Sequence, residues 1–178
     1  MKSWKRKVIA FSLASGLLIT GTAITTICTT HAASNTKIVS PMHQSQQTTI
    51  KKIKHLADQG KTVNSEEFAL QSKTKDIVKK WGEPDESSNP NEFFYDDRGV
   101  GFIAKNEKVV KIFSGDRCYD DITYKAVKQV LGKPAKETKK KGTGVFLTYK
   151  AGKNTLQFIF YFKNGSTEPT TLSELNVS

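Results

Sequence analysis

A short pattern of apolar residues at helical spacing, closed by Gly-x-Pro, occurs twice in the chain. The first copy spans residues 76–84 and the second spans residues 126–134, 50 positions later. Glycine commonly ends a helix, and a proline just beyond it prevents the helix from continuing. The pattern therefore predicts two short helices, with Ser72 or Thr74 as the N-cap of the first and Thr123 as the N-cap of the second. The apolar residues are Ile77 and Trp81 in the first copy, and Val127 and Leu131 in the second.

Aromatic and β-branched residues with turn signals between them follow each predicted helix, as is typical of antiparallel hairpins. Within residues 155–162 the side chains alternate so that one sheet face is core while the other still carries bulky residues. Residues 63–70 fit a short strand or a connector, and the basic residues 136–144 are expected to form a mobile loop. The predicted strands are residues 93–95, 100–104 and 109–113 in the first half, and 145–149, 155–162 and 172–177 in the second.

These elements predict an α+β fold in which two tandem helix-then-antiparallel-strands repeats pack as one domain. Repeat one covers about residues 63–115, and repeat two covers about residues 116–178. The domain begins at residue 48 with a leading helix that has lysines opposite its apolar side and is closed by Gly60. This basic helix packs on its own domain or, alternatively, lies on an anionic membrane. Its apolar residues are Ile50, Ile53, Leu56 and Ala57.

The first 47 residues have the pattern of an export signal followed by a spacer. A basic start precedes a largely apolar, uncharged run over residues 8–27, and small residues follow. This pattern predicts a secretory signal peptide over residues 1–32, cleaved between Ala32 and Ala33. The alternative is an uncleaved membrane anchor, because the apolar run has about the length that spans a bilayer. Residues 33–47 are rich in Ser, Thr and Gln, and we expect a flexible spacer.

The chain is basic, with 28 Lys and Arg against 17 Asp and Glu and a net charge of +11. Without residues 1–32 the net charge is still +7. Outside a cell the abundant polyanions are wall polymers and lipid headgroups, so an anionic wall polymer is a candidate partner and nucleic acid is not. The competing interpretation is a solvated lysine surface. Cys118 is the one cysteine left after cleavage, and we expect it to be buried, with a free or intermolecularly paired thiol as the alternatives.

Catalytic chemistry is sparse in the predicted repeats. All three histidines precede residue 56, which removes the usual general base and the histidine ligands of a catalytic zinc. Ser72 and Lys75 match Ser-x-x-Lys, but the other motifs of those enzymes are missing. The aspartates at residues 96–97 and 116–121 fit turn and cap roles better than a calcium site. We therefore expect no catalytic residue, no metal site and no cofactor.

The segments that carry a family resemblance are residues 73–78, 82–84, 99–102 and 127–134, together with Tyr149 and residues 156–158. They resemble the secreted YjgB-like family of Bacillus proteins, a domain of unknown function, over roughly residues 56–177. Membership implies export and a two-repeat α+β domain, and it assigns no catalytic residue. The helix-loop-strands unit used twice also resembles the architecture of β-lactamase inhibitor proteins and of the assembly lipoprotein BamE, which is a likeness of fold alone.

A body that is poor in catalytic groups and rich in aromatic residues favours a secreted, non-enzymatic binding module, because aromatic side chains are good interface anchors. We expect it to engage or inhibit an envelope or extracellular protein through the sheet face that is not core. The alternatives are an electrostatic ligand of anionic wall polymer or membrane, a small hydrolase, or a face that the tail or leading helix covers. The candidate binding residues are Phe94, Phe146, Ile159 and Tyr161 on that face, with Tyr119, Lys139, Lys140 and Lys141 at its edge.

Overall fold

The structure is a computed structural model, and it describes residues 41–85, 89–163 and 166–178. The predicted signal peptide and its cleavage point between Ala32 and Ala33 lie outside the described residues. No helix in the described part of the chain combines the length and the apolar character needed to span a bilayer.

Helix α1, Pro41–Asp58, begins seven residues before the predicted start at residue 48. Residues 41–47 are therefore helical, which corrects the prediction of a spacer that reaches residue 47. Gln46 contributes to this extension, because its Nε2 donates to the backbone oxygen of Asp121 at 2.6 Å. The apolar side of the helix packs on its own domain, as one of the two alternatives predicted. Its buried residues are Ile50, Ile53 and Ala57.

Helices α2, Thr74–Trp81, and α3, Tyr124–Leu131, form where the repeated pattern predicts them. Each helix ends at the glycine of its Gly-x-Pro. The φ angle is +86° at Gly82 and +75° at Gly132, a region that glycine enters without steric cost. The backbone N–H of each glycine donates to the helix, at 2.8 Å in α2 and 3.0 Å in α3. The two helices therefore end in the same way.

The starts of α2 and α3 differ. Thr123 caps α3 as predicted, because its Oγ1 accepts from the backbone N–H of Ala126 at 3.1 Å. The cap predicted for α2 is wrong, since Lys73 occupies the N-cap position and makes no side-chain bond there. The hydroxyl of Ser72 instead accepts from the N–H of Ala69 at 2.9 Å. Ser72 therefore has a structural role in the turn before α2.

Seven strands form one antiparallel sheet in the order β1-β2-β3-β7-β6-β5-β4. The predicted hairpins are present in both halves, and the last predicted strand, β7, joins the halves by pairing with both β3 and β6. Two short 3-10 helices, Asp96–Arg98 and Arg117–Tyr119, lie in the connections. The strands are β1 Glu92–Tyr95, β2 Val100–Lys105, β3 Lys108–Ser114, β4 Lys136–Lys140, β5 Gly144–Ala151, β6 Asn154–Tyr161 and β7 Glu174–Val177.

Strand β4 corrects the mobile loop predicted over residues 136–144. It pairs residue by residue with β5, from Lys136 opposite Thr148 to Lys140 opposite Gly144. Lysine is depleted in strands generally but common on edge strands, where its charge prevents pairing with a foreign sheet. Residues 63–70 form turns and no strand, so the connector was the right alternative.

All three helices pack on one face of the sheet. α1 and α3 share a core with β5, β6 and β7, whereas α2 shares a core with β1, β2 and β3. The side chains directed toward the helices form a cross-strand row, set by the register. This row is buried throughout: Phe102, Ile112, Val177, Leu156 and Tyr149.

The two Gly-x-Pro segments have matching surroundings. Tyr95 donates its hydroxyl proton to the backbone oxygen of Gly82 at 3.0 Å, and Tyr149 donates to that of Gly132 at 3.1 Å. Each tyrosine ring also lies edge-on to a phenylalanine of the adjacent strand. The predicted α+β fold is confirmed, while full duplication of the halves, with the repeat boundaries given above, stays a prediction.

Candidate binding surface on the open sheet face

The sheet face opposite the three helices, called the open sheet face, carries no helix of the described residues. The register defines its members, because side chains alternate between the two faces of a strand. Phe94 pairs with Gly101, Gly101 with Phe113, and Phe113 with Asn176 across the first four strands. The remaining strands continue this cross-strand row with polar residues, and a second group of apolar residues lies next to the row.

Phe94 and Phe113 form the first aromatic patch of the open sheet face. Their rings are stacked, with centroids 6.2 Å apart and planes 28° apart, although strand β2 lies between them. Gly101 makes this possible, because a Cβ at that position would lie 2.6 Å from Cδ1 of Phe94. The ammonium of Lys111 lies 4.4 Å from the centroid of the Phe113 ring, a favourable cation–π contact. Both rings are half-buried, so this patch offers a preformed apolar surface.

Phe146, Ile159 and Tyr161 form the second aromatic patch, on β5 and β6. Phe146 and Ile159 lie directly opposite each other in the register. Tyr161 is 40% exposed, and Phe146 is half-buried. Ile159 is only 3% exposed, so it supports the patch but offers little contact area, which corrects its expected role as a contact residue. The ammonium of Lys140 lies 5.2 Å from the centroid of the Phe146 ring.

A polar group that includes Glu174, Asn176 and Gln157 separates the two aromatic patches. Tyr161 donates its hydroxyl proton to Oε2 of Glu174 at 3.4 Å. When the side-chain amide of Asn176 is oriented so that both its oxygen and its nitrogen have hydrogen-bond partners, the nitrogen donates to Oε1 of Glu174 at 3.0 Å. Desolvation raises the pKa of the Glu174 carboxyl, and the Lys111 ammonium and these two donors only partly oppose that shift. The centre of the face therefore holds a carboxyl group that a cation from a partner would stabilise.

Tyr119, expected at the edge of this surface, lies in the core instead. It is 1% exposed and belongs to the cluster under α1 and α3. Its hydroxyl is 2.7 Å from Oγ of Ser114, which donates in turn to Oδ1 of Asn64 at 2.7 Å. Burial raises the pKa of the Tyr119 phenol well above its ordinary value. Its role is therefore structural.

The three lysines expected at the edge belong to a larger group. We call Lys133, Lys136, Lys139, Lys140 and Lys141 the β4 lysine cluster, and all five are exposed. Lys139 and Lys140 lie on opposite faces of the sheet, because neighbouring strand residues point in opposite directions. The cluster therefore borders the second aromatic patch and also extends around the sheet edge.

Sequence reasoning missed Phe113, Gly101 and Glu174 on the open sheet face. A bulge between β2 and β3 explains the first omission, since the register shifts between Ile103 and Ala104 and interrupts the simple alternation. The alternation of Lys111 and Phe113 was the available signal. Gly101 and Glu174 had no signal of their own, because their positions depend on which strands become neighbours.

Cys118 is free and exposed, which corrects the expectation that it is buried. Desolvation of the thiol and the neighbouring Asp116 carboxylate nevertheless raise the pKa of Cys118 to about 12. The thiol is therefore protonated at neutral pH and is a poor nucleophile. Asp116 also caps the second 3-10 helix, because its Oδ1 accepts from the Cys118 N–H at 2.8 Å. Within the described ranges, no group of three or more potential ligand side chains could hold a metal ion.

Residues 50–177 match the family model described as Domain of unknown function (DUF4309). A similar solved structure is the crystal structure of YjgB, a DUF4309 family protein from Bacillus subtilis subsp. subtilis str. 168. It aligns with a TM-score of 0.61 and 17% identity, over 76% of this chain and 98% of that chain. At this identity the likeness concerns the fold alone.

A second solved structure, an extracellular protein containing a SCP domain from Bacillus anthracis str. Ames, aligns with a TM-score of 0.30 and 16% identity. The alignment covers 61% of this chain and 43% of that chain, so it spans less than half of that protein. No curated protein matches the chain.

Proposed function

The chain belongs to the DUF4309 family, and from this premise we propose that it is a non-enzymatic binding module that engages an extracellular protein through the open sheet face. Membership confirms the resemblance to the YjgB-like family that the sequence motifs carry. The family description gives no activity, so the proposal depends on the surface.

One observation carries this proposal: all described helices cover the same face of the sheet, and the other face keeps two aromatic patches around a polar centre. Aromatic side chains supply large contact areas at low entropic cost and are enriched among the residues that dominate binding energy. The stacking of Phe94 on Phe113 fixes these rings before any partner arrives. A preorganised surface loses less conformational entropy on binding.

The polar centre defines the chemistry of the partner. A surface that covers Glu174 completely would leave a desolvated carboxyl group, which is costly unless a cation or donor compensates it. The partner we propose therefore offers apolar side chains to the two patches and a lysine or arginine to Glu174. Tyr161 already donates to this carboxylate and would remain at the rim of the contact.

The absence of enzymatic activity is part of the proposal. The unreactive state of the Cys118 thiol supports it, as does the structural use of Ser72 in a turn. A small hydrolase is the alternative. Profiling of the purified chain on wall fragments and ester substrates would reveal turnover if that alternative holds.

Export is also proposed, with the protein secreted to the extracellular side, where it is free or associated with the cell wall. The basic start and the apolar run before the small residues support it. N-terminal sequencing of the protein from the culture medium is expected to begin at Ala33. A chain that begins at Met1 and sediments with the membrane would contradict both cleavage and release.

Photo-crosslinking from single positions tests the binding proposal. A photoreactive phenylalanine analogue at position 161, on the open sheet face, is expected to capture a partner from the extracellular fraction of the producing cells. The same analogue at position 125, which is exposed on α3, is the matched control. It is expected not to capture the protein that position 161 captures. In the position-161 protein, Phe146→Ala should reduce the product about tenfold or more, as expected for loss of an anchor.

Two outcomes contradict the proposal. One is equal capture from positions 161 and 125, which would indicate contact without a preferred face. The other is undiminished capture by a Phe146→Ala protein whose circular dichroism shows the native fold. Lys125→Ala serves as the control for substitution alone, because Lys125 lies on the helix side of the molecule.

A further inference from the structure

The two edges of the sheet carry opposite charge. Residues 133–141, which contain edge strand β4, have five lysines and one glutamate. Residues 83–85 and 89–97, around the other edge strand β1, have five acidic residues and no basic residue. Five strands lie between these two edge strands, so six spacings of about 4.8 Å separate the edges by about 29 Å. That distance is about three Debye lengths at 0.1 M salt, so each edge acts on its surroundings separately.

The β4 lysine cluster places ammonium groups on both sides of one edge. Nζ of Lys139 lies 5.6 Å from the ring centroid of Phe162, which packs against the core on the helix side. Nζ of Lys140 lies 5.2 Å from the ring centroid of Phe146 on the open sheet face. These contacts hold two charges apart, one on each face of the strand.

The single glutamate of this segment, Glu137, is directed toward α3. Its Oε2 accepts from Nζ of Lys128 at 2.9 Å, and its Oε1 accepts from the hydroxyl of Tyr124. Both contacts lower the pKa of the Glu137 carboxyl, so it is ionised and engaged with α3. It therefore offsets Lys128 more than it offsets the β4 lysine cluster.

The backbone of β4 also faces outward at this edge. Thr155 and Ser178 exchange both backbone hydrogen bonds, at 2.6 and 3.0 Å, which fixes the alternation of bonded pairs between β6 and β7. Residues whose backbone groups bond to one neighbouring strand alternate with residues that bond to the other. Followed from β6 through β5 to β4, this alternation directs the N–H and C=O groups of Glu137 and Lys139 away from the sheet. No described strand lies beyond β4, and four of its five residues are exposed.

We propose that the β4 edge is a binding site for a linear polymer that carries phosphate groups along its length. Lysine is an effective point-charge ligand for phosphate, and neutralising several phosphates releases counterions, which favours binding. A five-residue strand extends about 17 Å, which suits a linear polyanion better than a single small anion. This site adjoins the open sheet face at Lys140, but the proposal does not depend on the function proposed for that face.

Charge also excludes one competitor and sets an orientation. Two copies of the chain cannot pair through β4 without bringing their lysines together, which is unfavourable. The same polymer would be repelled by the acidic β1 edge. The bound domain is therefore oriented with β4 toward the polymer and with the first aromatic patch, which includes Phe94, directed away from it.

Titration of the purified full chain with sodium polyphosphate of defined length tests the site, with binding followed by calorimetry at two NaCl concentrations. The test variant is Lys139→Glu combined with Lys140→Glu. The control is Lys51→Glu combined with Lys75→Glu, because these lysines are exposed on α1 and α2 and give the same net charge. We expect the β4 variant to bind about tenfold or more weakly and the control to change by less than about threefold.

The salt dependence gives a second measurement of the same site. Affinity should fall as NaCl rises, and the logarithmic slope should be smaller for the β4 variant, because it makes fewer phosphate contacts. Equal losses in the β4 variant and the control would overturn the proposal, since net charge alone would then explain binding. An undetectable affinity of the wild-type chain for polyphosphate would also overturn it.

Vesicles separate the polymer from a lipid source of phosphate. The wild-type chain is titrated with vesicles of phosphatidylcholine that contain one third phosphatidylglycerol. Binding to polyphosphate that exceeds binding to these vesicles at equal phosphate concentration supports a polymer ligand. Binding to the vesicles alone would overturn the proposal and would assign the β4 edge to a membrane surface instead.

Discussion

Phe94 stacks on Phe113 across strand β2, with ring centroids 6.2 Å apart, because only a hydrogen atom occupies the side-chain position of Gly101 between them. The backbone of Gly101 is not in the left-handed region, so alanine is compatible with its φ angle. A Cβ would, however, lie 2.6 and 2.7 Å from two carbons of the Phe94 ring. The glycine is therefore required by the ring and not by the backbone.

Gly101→Ala is expected to displace the Phe94 ring and to destabilise the fold by about 1–3 kcal/mol, as is typical of overpacking. Chemical denaturation measures this loss. A double-mutant cycle with Phe94→Ala isolates the cause, because Gly101→Ala should cost much less once the ring is absent. An equal cost in both backgrounds would show that the ring contact is not the reason for glycine.

Tyr95 and Tyr149 make the same hydrogen bond in the two halves, each to the glycine that ends a helix. Tyr95→Phe and Tyr149→Phe should therefore each reduce the free energy of unfolding by about 1 kcal/mol, the usual net value of a hydrogen bond. The two losses should be similar and additive, because the sites belong to different core clusters. Urea unfolding of the two single variants and the double variant checks this, and a loss confined to one tyrosine would contradict the matched setting.

Local patterns in the sequence were sufficient for the helices and hairpins. Glycine followed by proline ends a helix for reasons that lie in those residues alone, so α2 and α3 appear where predicted. The alternation along β6 likewise separates core from open face without knowledge of any partner strand. These features could be predicted because each depends only on the covalent geometry of a few residues or on the alternation within a single strand.

Other features depend on neighbours that the sequence does not reveal. Strand β4 has the composition of a loop, and it forms a strand only because its residues pair with those of β5. Cys118 and Tyr119 are adjacent in a 3-10 helix, where side chains point about 120° apart. Cys118 is therefore exposed while Tyr119 is buried, whereas the residue type alone predicts that Cys118 is buried.

Cys118 is expected to react slowly with alkylating reagents although it is exposed. Its pKa of about 12 leaves little thiolate at pH 8, and thiolate is the reacting species. The rate of reaction with iodoacetamide should keep rising above pH 9, where that of an ordinary cysteine levels off. Asp116→Asn keeps a capping side chain but removes the carboxylate that disfavours thiolate, so this variant should react faster. A rate at pH 8 equal to that of a model peptide would contradict the raised pKa.

Glu174 makes the stability of the domain depend on pH in the opposite sense to an ion-paired carboxylate. Desolvation raises the pKa of Glu174 in the folded state above the ordinary value of 4.5. Between the unfolded and the folded pKa, the folded state binds more protons, so the free energy of unfolding falls as pH rises through that window. The contribution of the protonated carboxyl is fully present below the unfolded pKa and is lost above the folded pKa.

Glu174→Gln removes this dependence and keeps a side chain of the same shape, whose amide oxygen can accept from Asn176 while its amide nitrogen donates to the hydroxyl oxygen of Tyr161. The variant should therefore be more stable than the wild type above the folded pKa, and the difference should shrink as pH falls toward 4. Urea unfolding at several pH values between 4 and 8 measures both curves. Glu168→Gln is the control, because Glu168 is exposed, and it should leave the curve unchanged. The opposite result would be a wild type that gains stability relative to Glu174→Gln as pH rises. It would show that Lys111 and the two donors outweigh desolvation. The carboxylate would then already be compensated and would need no cation from a partner.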